Sequence, residues 1–275
     1  MHVRWDFTMN WKCKSKTITY GEKILIMGIV NVTPDSFSDG GKWLDGEAAV
    51  QHALELEKQG ADILDLGAQS TRPGYKEISA EEEWSRLESV LPALRQKTDL
   101  PVSVDTYFPY VAERAIANGA DIVNDISGII NPDMARIVKK TGAGWIIMHN
   151  GAGASEDVKA FFEKALRECE ALGINKNQLC FDMGIGFGKD IEENLDLIAN
   201  VPHYKPDGFP LLLGTSRKRV IGAASQQPVV QERVYGNIAA DTAAVFGGVD
   251  IIRIHDVKNE KQGILMAQEL KKWIR

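Results

Sequence analysis

Eight short runs of apolar and β-branched residues recur along the chain, with helix-like segments between them. The runs begin at Lys23, Asp62, Pro101, Asp121, Gly144, Gln178, Phe209 and Asp250. Their starts are about 32 residues apart on average, the length of one strand with its crossover helix. Strands that alternate with helices favour a parallel sheet covered by helices.

Eight such units in 275 residues predict a closed (β/α)₈ TIM barrel, with a doubly wound open sheet as the alternative. Residues 1–22 precede the first run and are expected to add a short hairpin or strand that plugs the barrel bottom. Ser79 with Glu82 predicts a capping box that opens a helix. Four glycines stand where helices are expected to end: Gly60, Gly119, Gly142 and Gly173. We expect one domain over 1–275.

The composition excludes several classes of protein. The chain has 32 basic and 38 acidic residues, a net charge of −6, which argues against a general binder of nucleic acids or anionic membranes. Its three cysteines are odd in number and lack metal-ligand spacing, so neither a disulfide framework nor a zinc site is expected. The first residues lack the apolar run of a signal peptide, and no run is long enough to cross a bilayer. These features predict a cytoplasmic protein.

Polar or ionisable residues follow or lie within nearly all of the eight runs. In a barrel, the carboxyl ends of the strands meet at one rim, where the sites of such enzymes are built. Strand ends are also polar simply because the chain is leaving the core. That explanation fits poorly where Asn124, Asp182, Arg253 and His255 lie in buried contexts, because a desolvated polar group needs a partner. A bound ligand is one such partner.

Eight motifs in chain order resemble those of the dihydropteroate synthase family. They are NVTPDSFSDGG from Asn31, STRPG from Ser70, VDT from Val104, NDISG from Asn124, MHN from Met148, DMGIGFGK from Asp182, GTSRK from Gly214 and RIHD from Arg253. The resemblance implies a TIM barrel that condenses 6-hydroxymethyl-dihydropterin diphosphate with p-aminobenzoate, and releases diphosphate, in folate synthesis. It also implies a protein that commonly forms homodimers.

The resemblance assigns most of the polar residues in these motifs to the binding of the two substrates. A carboxylate and an amide suit the donors and acceptors on the edge of a pterin ring. By resemblance the pterin pocket contains Asp105, Asn124, Asp182, Lys218, Met148 and Gly214. The implied slot for p-aminobenzoate contains Thr71, Arg72, Pro73, Phe187, Arg219 and the stem of Lys218, with Asp35 on the loop after the first strand. The helix that starts near Ser216 to Arg219 is expected to help hold its carboxylate.

Three further residues are expected to act on the diphosphate. Arg253 and His255 are two apart on one strand, so their side chains point to the same side and can hold one anion. Asn31 resembles the family's ligand for Mg²⁺, a hard ion that binds few protein oxygens together with phosphate oxygens. Asn31, Lys218, Arg253 and His255 are the expected catalytic residues. The implied step is dissociation of diphosphate followed by attack of the amine, without a covalent enzyme intermediate.

Some positions depart from the family pattern. Gln69 stands in place of a glutamate, Met183 in place of a proline, and Arg219 in place of a small hydroxyl residue. Asn237 and Asp241 form a polar face on a helix that is usually more apolar. These changes leave open a pterin-binding paralogue with weak or altered catalysis. A corrinoid-linked methyltransferase is less favoured, since it would not need the residues expected to bind diphosphate.

Overall fold

The computed structural model describes residues 9–32, 42–69, 77–152 and 155–274. The strands are β1 (Met9–Cys13), β2 (Lys16–Tyr20), β3 (Leu25–Asn31), β4 (Ile63–Gly67), β5 (Val102–Asp105), β6 (Ile122–Asp125), β7 (Gly144–Met148), β8 (Leu179–Asp182), β9 (Leu211–Leu213) and β10 (Ile251–Ile254). The helices are α1 (Lys42–Gln59), α2 (Ala80–Leu87), α3 (Val90–Arg95), α4 (Pro109–Ala117), α5 (Pro132–Thr141), α6 (Ser155–Ala171), α7 (Ile191–Ala199), α8 (Val201–Tyr204), α9 (Arg219–Ala224), α10 (Val234–Gly247) and α11 (Val257–Lys271).

The eight strands β3 to β10 form a closed parallel barrel. Closure is direct, because β10 pairs in parallel with both β3 and β9. This confirms the predicted TIM barrel and excludes the open sheet. Neighbouring strands align Asn31 with Gly67, Gly67 with Asp105, and Asp105 with Asn124. The carboxyl ends of β3 to β6 therefore lie at one height.

The inner face of the barrel changes from apolar to polar along the strands. Its lower part is a buried cluster formed by Leu25, Met27, Ile63, Ile122, Ile146, Cys180, Leu212 and Ile251. Because alternate strand residues share a face, the residues two positions after Ile63, Ile122, Ile146, Cys180, Leu212 and Ile251 also point inward. Those residues are Asp65, Asn124, Met148, Asp182, Gly214 and Arg253. The upper part of the barrel is thus lined mostly by polar groups.

The hairpin of β1 and β2 covers the lower end of the barrel, as the sequence predicted. Trp11, Cys13, Ile18 and Tyr20 are buried and belong to the same apolar cluster as the lower inner face. The indole Nε1 of Trp11 donates to the carbonyl of Gln178 at 2.8 Å, just before β8. The outer faces of the strands pack against the helices through a second, larger apolar core.

The helix boundaries follow the sequence signals in part. Ser79 caps α2, because its Oγ accepts from the Glu82 N–H at 3.1 Å, but the Glu82 carboxylate pairs with Arg86 instead of completing the predicted box. All four predicted terminal glycines have positive φ. Gly142, with φ 74°, ends α5 in the left-handed conformation that glycine adopts without strain. Within the described ranges, none of the helices has the length and apolar character needed to span a bilayer.

Candidate active site

Arg253 is the centre of a buried ionic network inside the barrel. Its Nε lies 2.7 Å from Asp65 Oδ2 on β4, and its Nη2 lies 2.8 Å from Asp105 Oδ2 on β5. The amide of Asn124 on β6 donates to Asp65 Oδ2 at 3.3 Å. Burial would lower the pKa of Arg253, but the two carboxylates outweigh it and raise the pKa above its ordinary value. The guanidinium is held charged and fixed.

Two carboxyl groups at the rim, those of Asp105 and Asp182, have raised pKa values that a bound ligand could lower. Burial raises the pKa of Asp105 to about 7, an effect that Arg253 opposes and Asp65 reinforces. The pKa of Asp182 is also raised by burial, with Lys218 opposing the shift, and its Oδ1 accepts from Gly184 N–H at 2.8 Å. A ligand that donates hydrogen bonds would stabilise their charged forms.

Lys218 is the cation of the upper pocket. It is the N-cap residue of α9 and its Nζ donates to the carbonyl of Ile185, on the loop after β8. The same Nζ lies 4.8 Å from the ring centre of Phe187, a cation–π distance. Burial lowers the pKa of Lys218 to about 8, while the Asp182 carboxylate acts in the opposite direction. The amine is therefore partly desolvated, which strengthens its hydrogen bonds to a ligand.

A second buried lysine fixes the loop that carries Phe187. The Nζ of Lys189 donates to the carbonyls of Gly184 at 3.0 Å, Phe187 at 3.2 Å and His149 at 3.3 Å. Burial and the Lys189 charge lower the pKa of His149 to about 4, so its imidazole is neutral at physiological pH. These contacts hold residues 184–189 across the end of the barrel. His149 thus supports this loop, and its neutral ring is unsuited to binding an anion.

His255 lies at the end of β10 beside the loop after β9. Its backbone N–H donates to Ser216 Oγ at 3.2 Å, and its Nδ1 lies 3.1 Å from the same oxygen. Asn31 ends β3 with a partly exposed side chain. Across residues 9–32, 42–69, 77–152 and 155–274, no cluster of three or more His, Cys, Asp or Glu side chains is suited to a metal ion.

The structure brings most of the predicted site residues to one end of the barrel. They are Asn31, Asp105, Asn124, Met148, Asp182, Phe187, Gly214, Lys218, Arg253 and His255. Arg219 begins α9 with an exposed side chain. Asp35, Thr71, Arg72 and Pro73 lie outside the described residues, so their predicted roles remain predictions.

Sequence reasoning missed Asp65, although its side chain is fully buried and pairs with Arg253. The available signal was a charged residue in the middle of the apolar run ILDLG, two positions after an inward-facing isoleucine. Buried carboxylates of this kind need a charged or hydrogen-bonding partner. The partner itself could not be read from the sequence, since it is 188 positions away and is brought close only by barrel closure.

The structure accounts for two departures from the family pattern. The Nε2 of Gln69 donates to Tyr107 Oη at 2.8 Å, while that hydroxyl donates to Glu77 Oε1 at 2.8 Å. With the Tyr107 proton donated to Glu77, the Gln69 amide supplies a donor to the hydroxyl oxygen that an ionised glutamate could not supply. Met183 is fully buried in the apolar core, where a flexible side chain fills space.

A family profile and individual relatives all associate this chain with the same group of enzymes. Residues 27–255 match the family profile described as pterin binding enzyme. The chain is 41% identical over 263 residues to the dihydropteroate synthase of Clostridium beijerinckii, with 93% of this chain and 97% of that protein covered. The Bacillus subtilis dihydropteroate synthase is 38% identical over 259 residues, with coverages of 92% and 90%.

Solved structures of dihydropteroate synthases also match the fold of this chain. The Xanthomonas albilineans dihydropteroate synthase with 4-aminobenzoic acid matches with a TM-score of 0.90 at 38% identity, covering 96% of this chain and 99% of that chain. The same enzyme in complex with 7,8-dihydropteroate matches with a TM-score of 0.86 at 36% identity, with coverages of 95% and 98%.

Proposed function

The chain belongs to the pterin-binding enzyme family, and on that basis we propose how its residues serve the dihydropteroate synthase reaction. The reaction condenses 6-hydroxymethyl-7,8-dihydropterin diphosphate with p-aminobenzoate to 7,8-dihydropteroate and diphosphate, a step of folate biosynthesis. The observation that carries the assignment of residues is the polar upper half of the barrel. There Asp105, Asn124 and Asp182 lie on the inner face, with Lys218 and Arg253 beside them.

The pterin ring is bound by these inward-facing groups. Asp182 accepts from the ring's amino group and adjacent N–H, which removes the cost of its buried charge. Asn124 offers both a donor and an acceptor to the ring edge, and Lys218 donates to the ring carbonyl. Asp105 accepts from a further ring N–H, while Met148 and Gly214 line the pocket. The raised pKa values of Asp105 and Asp182 support this assignment, because both groups lack full solvation.

Arg253 and His255 hold the diphosphate. Arg253 is kept charged by Asp65 and Asp105, and its guanidinium suits two oxygens of one phosphate. A single amide oxygen from Asn31, completed by diphosphate oxygens and water, fits the sparse donor set that Mg²⁺ accepts from proteins. Asn31 would hold this ion, which would neutralise charge on the diphosphate when bound.

Bond cleavage at the pterin methylene is the chemical step. The bond from the methylene carbon to the diphosphate oxygen breaks, and its electron pair leaves with the diphosphate. The conjugated pterin ring spreads the positive charge left on carbon, while Arg253 and His255 stabilise the departing anion. The amine of p-aminobenzoate then attacks the methylene carbon and loses one proton. No enzyme nucleophile is required.

The p-aminobenzoate slot is proposed beside Lys218. Phe187 supplies an aromatic face, and its ring already packs near the Lys218 ammonium. Arg219 follows at the first turn of α9, where its guanidinium can meet the substrate carboxylate. Thr71, Arg72 and Pro73, which follow β4 in the sequence, and Asp35, which follows β3, are proposed to contact p-aminobenzoate, as the family resemblance implies.

The assembly and location proposed for the protein follow from surfaces and thiols. A homodimer is supported by exposed apolar side chains on the neighbouring helices α10 and α11: Tyr235, Phe246, Leu265, Met266 and Leu270. Apolar groups gathered on one face are typical of protein interfaces.

A cytoplasmic location is supported by Cys13, Cys169 and Cys180, which are buried and not joined in disulfides. Co-fractionation of the protein with membranes would contradict that location.

The decisive experiment mixes purified protein with the pterin diphosphate, p-aminobenzoate and Mg²⁺ and follows dihydropteroate by chromatography. We expect product from wild type and none from Asp182→Asn, which should lose pterin binding while keeping its circular dichroism spectrum. Arg136→Ser, an exposed surface change, is the matched control and should behave as wild type. Pterin binding by wild type without product would instead support the catalytically weak paralogue.

A further inference from the structure

Two buried carboxyl groups lie behind the loop 214–218 and accept from two hydroxyl groups of that loop, and the reaction above uses none of these four groups directly. Thr215 and Ser216 belong to the loop, Asp241 to α10 and Glu260 to α11. The relative exposures of Asp241 and Glu260 are 0% and 1%. Buried carboxyl groups are costly unless they are paired, so their retention in this place calls for a physical reason.

Helices α10 and α11 hold three successive residues of this loop. Thr215 Oγ1 donates to Asp241 Oδ1 at 2.9 Å, and Ser216 Oγ donates to Glu260 Oε1 at 3.4 Å. The Arg217 N–H donates to Asn237 Oδ1 at 3.3 Å, and Arg217 itself has φ 63°, a left-handed conformation that costs free energy in a non-glycine residue. The next residue is Lys218. These bonds therefore fix the segment from which the pocket lysine projects.

The carboxyl groups of Asp241 and Glu260 lie close enough to interact directly with each other. Asp241 Oδ2 and Glu260 Oε2 are both buried, and no other group among the described residues donates to them. Two carboxylate oxygens are both acceptors, so a bond between them requires one proton. Burial, and next the Asp241 carboxylate, raise the pKa of Glu260. The proton therefore lies on Glu260 and is donated to Asp241.

This arrangement continues to His255. Protonated Glu260 keeps Oε1 as an acceptor, and the Ser216 hydroxyl directs its single proton there. The Ser216 oxygen then accepts from the His255 backbone N–H at 3.2 Å and faces His255 Nδ1 at 3.1 Å. With its own proton committed to Glu260, Ser216 requires a proton on Nδ1. The chain of bonds thus selects both the orientation and the protonation of the imidazole.

We propose that Asp241 and Glu260 form a proton-sharing positioning pair that holds the loop 214–218 and keeps the His255 imidazole protonated on Nδ1. The inference rests on the proposed function in one respect, since that function gives His255 and Lys218 their roles toward substrate. With its Nδ1 proton accepted by Ser216, the imidazole keeps one orientation toward the departing diphosphate. The pair touches no substrate and acts through Ser216 and Thr215.

The shared proton makes the device sensitive to alkaline pH. Other charged groups on the packed elements are Arg233 before α10, Arg217 and Lys218 on the loop, and His255 and Asp256 after β10; the Asp256 carboxylate raises the Glu260 pKa further. Because the folded pKa of Glu260 is above its ordinary value, its stabilising contribution is present at low pH and is lost as pH rises through the raised pKa. Two adjacent buried carboxylates then repel each other.

The matched variants are Glu260→Gln and Glu260→Leu. A glutamine amide donates to Asp241 and its oxygen accepts from Ser216, so it reproduces protonated Glu260 without a proton to lose. Leucine has similar volume and no hydrogen bonds. Each protein is assayed from pH 6 to 10 for kcat and for KM of both substrates. The ¹⁵N signals of His255, measured without substrate, report the tautomer and pKa of the ring, and circular dichroism reports melting.

For Glu260→Leu we expect kcat to fall about tenfold, since small misplacements of catalytic groups are costly, with altered His255 signals. Glu260→Gln should restore both and retain activity and melting temperature to higher pH than wild type. Unchanged His255 signals in Glu260→Leu, or the wild-type alkaline decline in Glu260→Gln, would overturn the proposal. If Glu260→Leu does not fold, Ser216→Ala is measured in its place. Unchanged His255 signals in Ser216→Ala would also overturn the proposal. Absence of product with wild type refutes the proposed function instead, and leaves the imidazole and melting measurements valid.

Discussion

At the scale of single residues, the two carboxylates that bind Arg253 have different environments. The Asp65 side chain is fully buried on β4, whereas that of Asp105 at the rim is 15% exposed. A ligand can therefore compete for Asp105, but Asp65 stays with the guanidinium throughout. This division lets Asp65 orient Arg253 while Asp105 remains available to the pterin. The charged pair inside the barrel is a positioning contact first and a source of stability second.

Asp65→Asn should therefore weaken both fold and catalysis. Removing one partner of a buried ion pair costs about 3–5 kcal/mol, and asparagine keeps the shape and one acceptor, so we expect about 3 kcal/mol. Urea unfolding measures the free energy, and kcat/KM for the pterin diphosphate should fall at least about tenfold. Asp133→Asn, which removes an exposed ion pair with Arg136, is the control and should cost below about 1 kcal/mol. Equal stability of the two variants would contradict this role for Asp65.

Lys218 leads to a prediction about pH. Its pKa in the empty pocket is about 8, so deprotonation begins within the physiological range. The ammonium is the better donor to a pterin carbonyl, and pterin affinity should therefore fall by up to about tenfold for each pH unit above 8. Folding stability has the opposite sign, because the neutral amine avoids the burial cost between pH 8 and its ordinary value of 10.5.

Calorimetric titration with a pterin analogue from pH 7 to 9.5 measures this dependence. Lys218→Met supplies the comparison, since methionine has nearly the same length and no titrating group. Its affinity should be lower than that of wild type at pH 7 and nearly constant above pH 8. An alkaline decline of the same size in both proteins would assign the titration to another group, such as Lys189, whose pKa is also about 8.

At the scale of elements, the junction of the loop 214–218 with α9 determines how the second substrate is met. Arg219 occupies the first turn of α9 and is exposed, while the preceding residue points into the pocket. Arg219→Ser should raise KM for p-aminobenzoate and change sulfonamide inhibition, with little effect on pterin affinity. Steady-state kinetics and a pterin titration separate the two effects. Wild-type values for both would show that Arg219 faces solvent in the complex as well.

How far the elements could be predicted depends on the range of the interactions that form them. The strands were predictable because each is a local apolar run, and Gly142 marked a helix end by its own conformational freedom. The break between α2 and α3 was missed, since the apolar periodicity continues across it. The capping box of Asp190 and Glu193 at α7 was also missed, although its spacing was visible.

For the candidate site, too, local features could be predicted from the sequence and long-range contacts could not. The sequence placed Asp105, Asn124, Asp182 and Arg253 at or within the ends of strands, and the family resemblance assigned them to the substrates. Their partners were not predictable, because the contact of Arg253 with β4 exists only when the last strand closes on the first. The acid pair behind the loop 214–218 joins α10 and α11, which are consecutive in the chain, but the sequence does not show that these two side chains face each other. Sequence periodicity assigns a face to a residue but does not identify its neighbours across the barrel.

At the scale of the whole molecule, net charge and local charge have different meanings. A formal charge of −6 excludes a broad basic surface suited to polyanions. It does not exclude a local site for an anion, and Lys218, Arg253 and His255 lie at one end of the barrel, among the carboxyl groups of Asp65, Asp105 and Asp182. Low-dielectric walls strengthen the interaction of each such cation with a bound anion. The molecule is therefore suited to one small anion at a time, as a diphosphate and a benzoate require.

The apolar face of α10 and α11 carries the prediction about assembly. Tyr235 is 81% exposed, Met266 57% and Trp273, just after α11, 79%, which is costly for large apolar side chains in water. A second copy of the chain that packs on this face would bury them.

Light scattering on a sizing column should give a mass near twice 30.4 kDa for wild type. The double variant Met266→Glu, Trp273→Glu should give a mass near that of a single chain. Ile129→Glu, at a side chain that is 61% exposed on the loop after β6, is the control and should keep the wild-type mass. A wild-type mass of one chain at micromolar concentration would rule out this interface, whereas a dimer that survives the double variant would require contacts on another face.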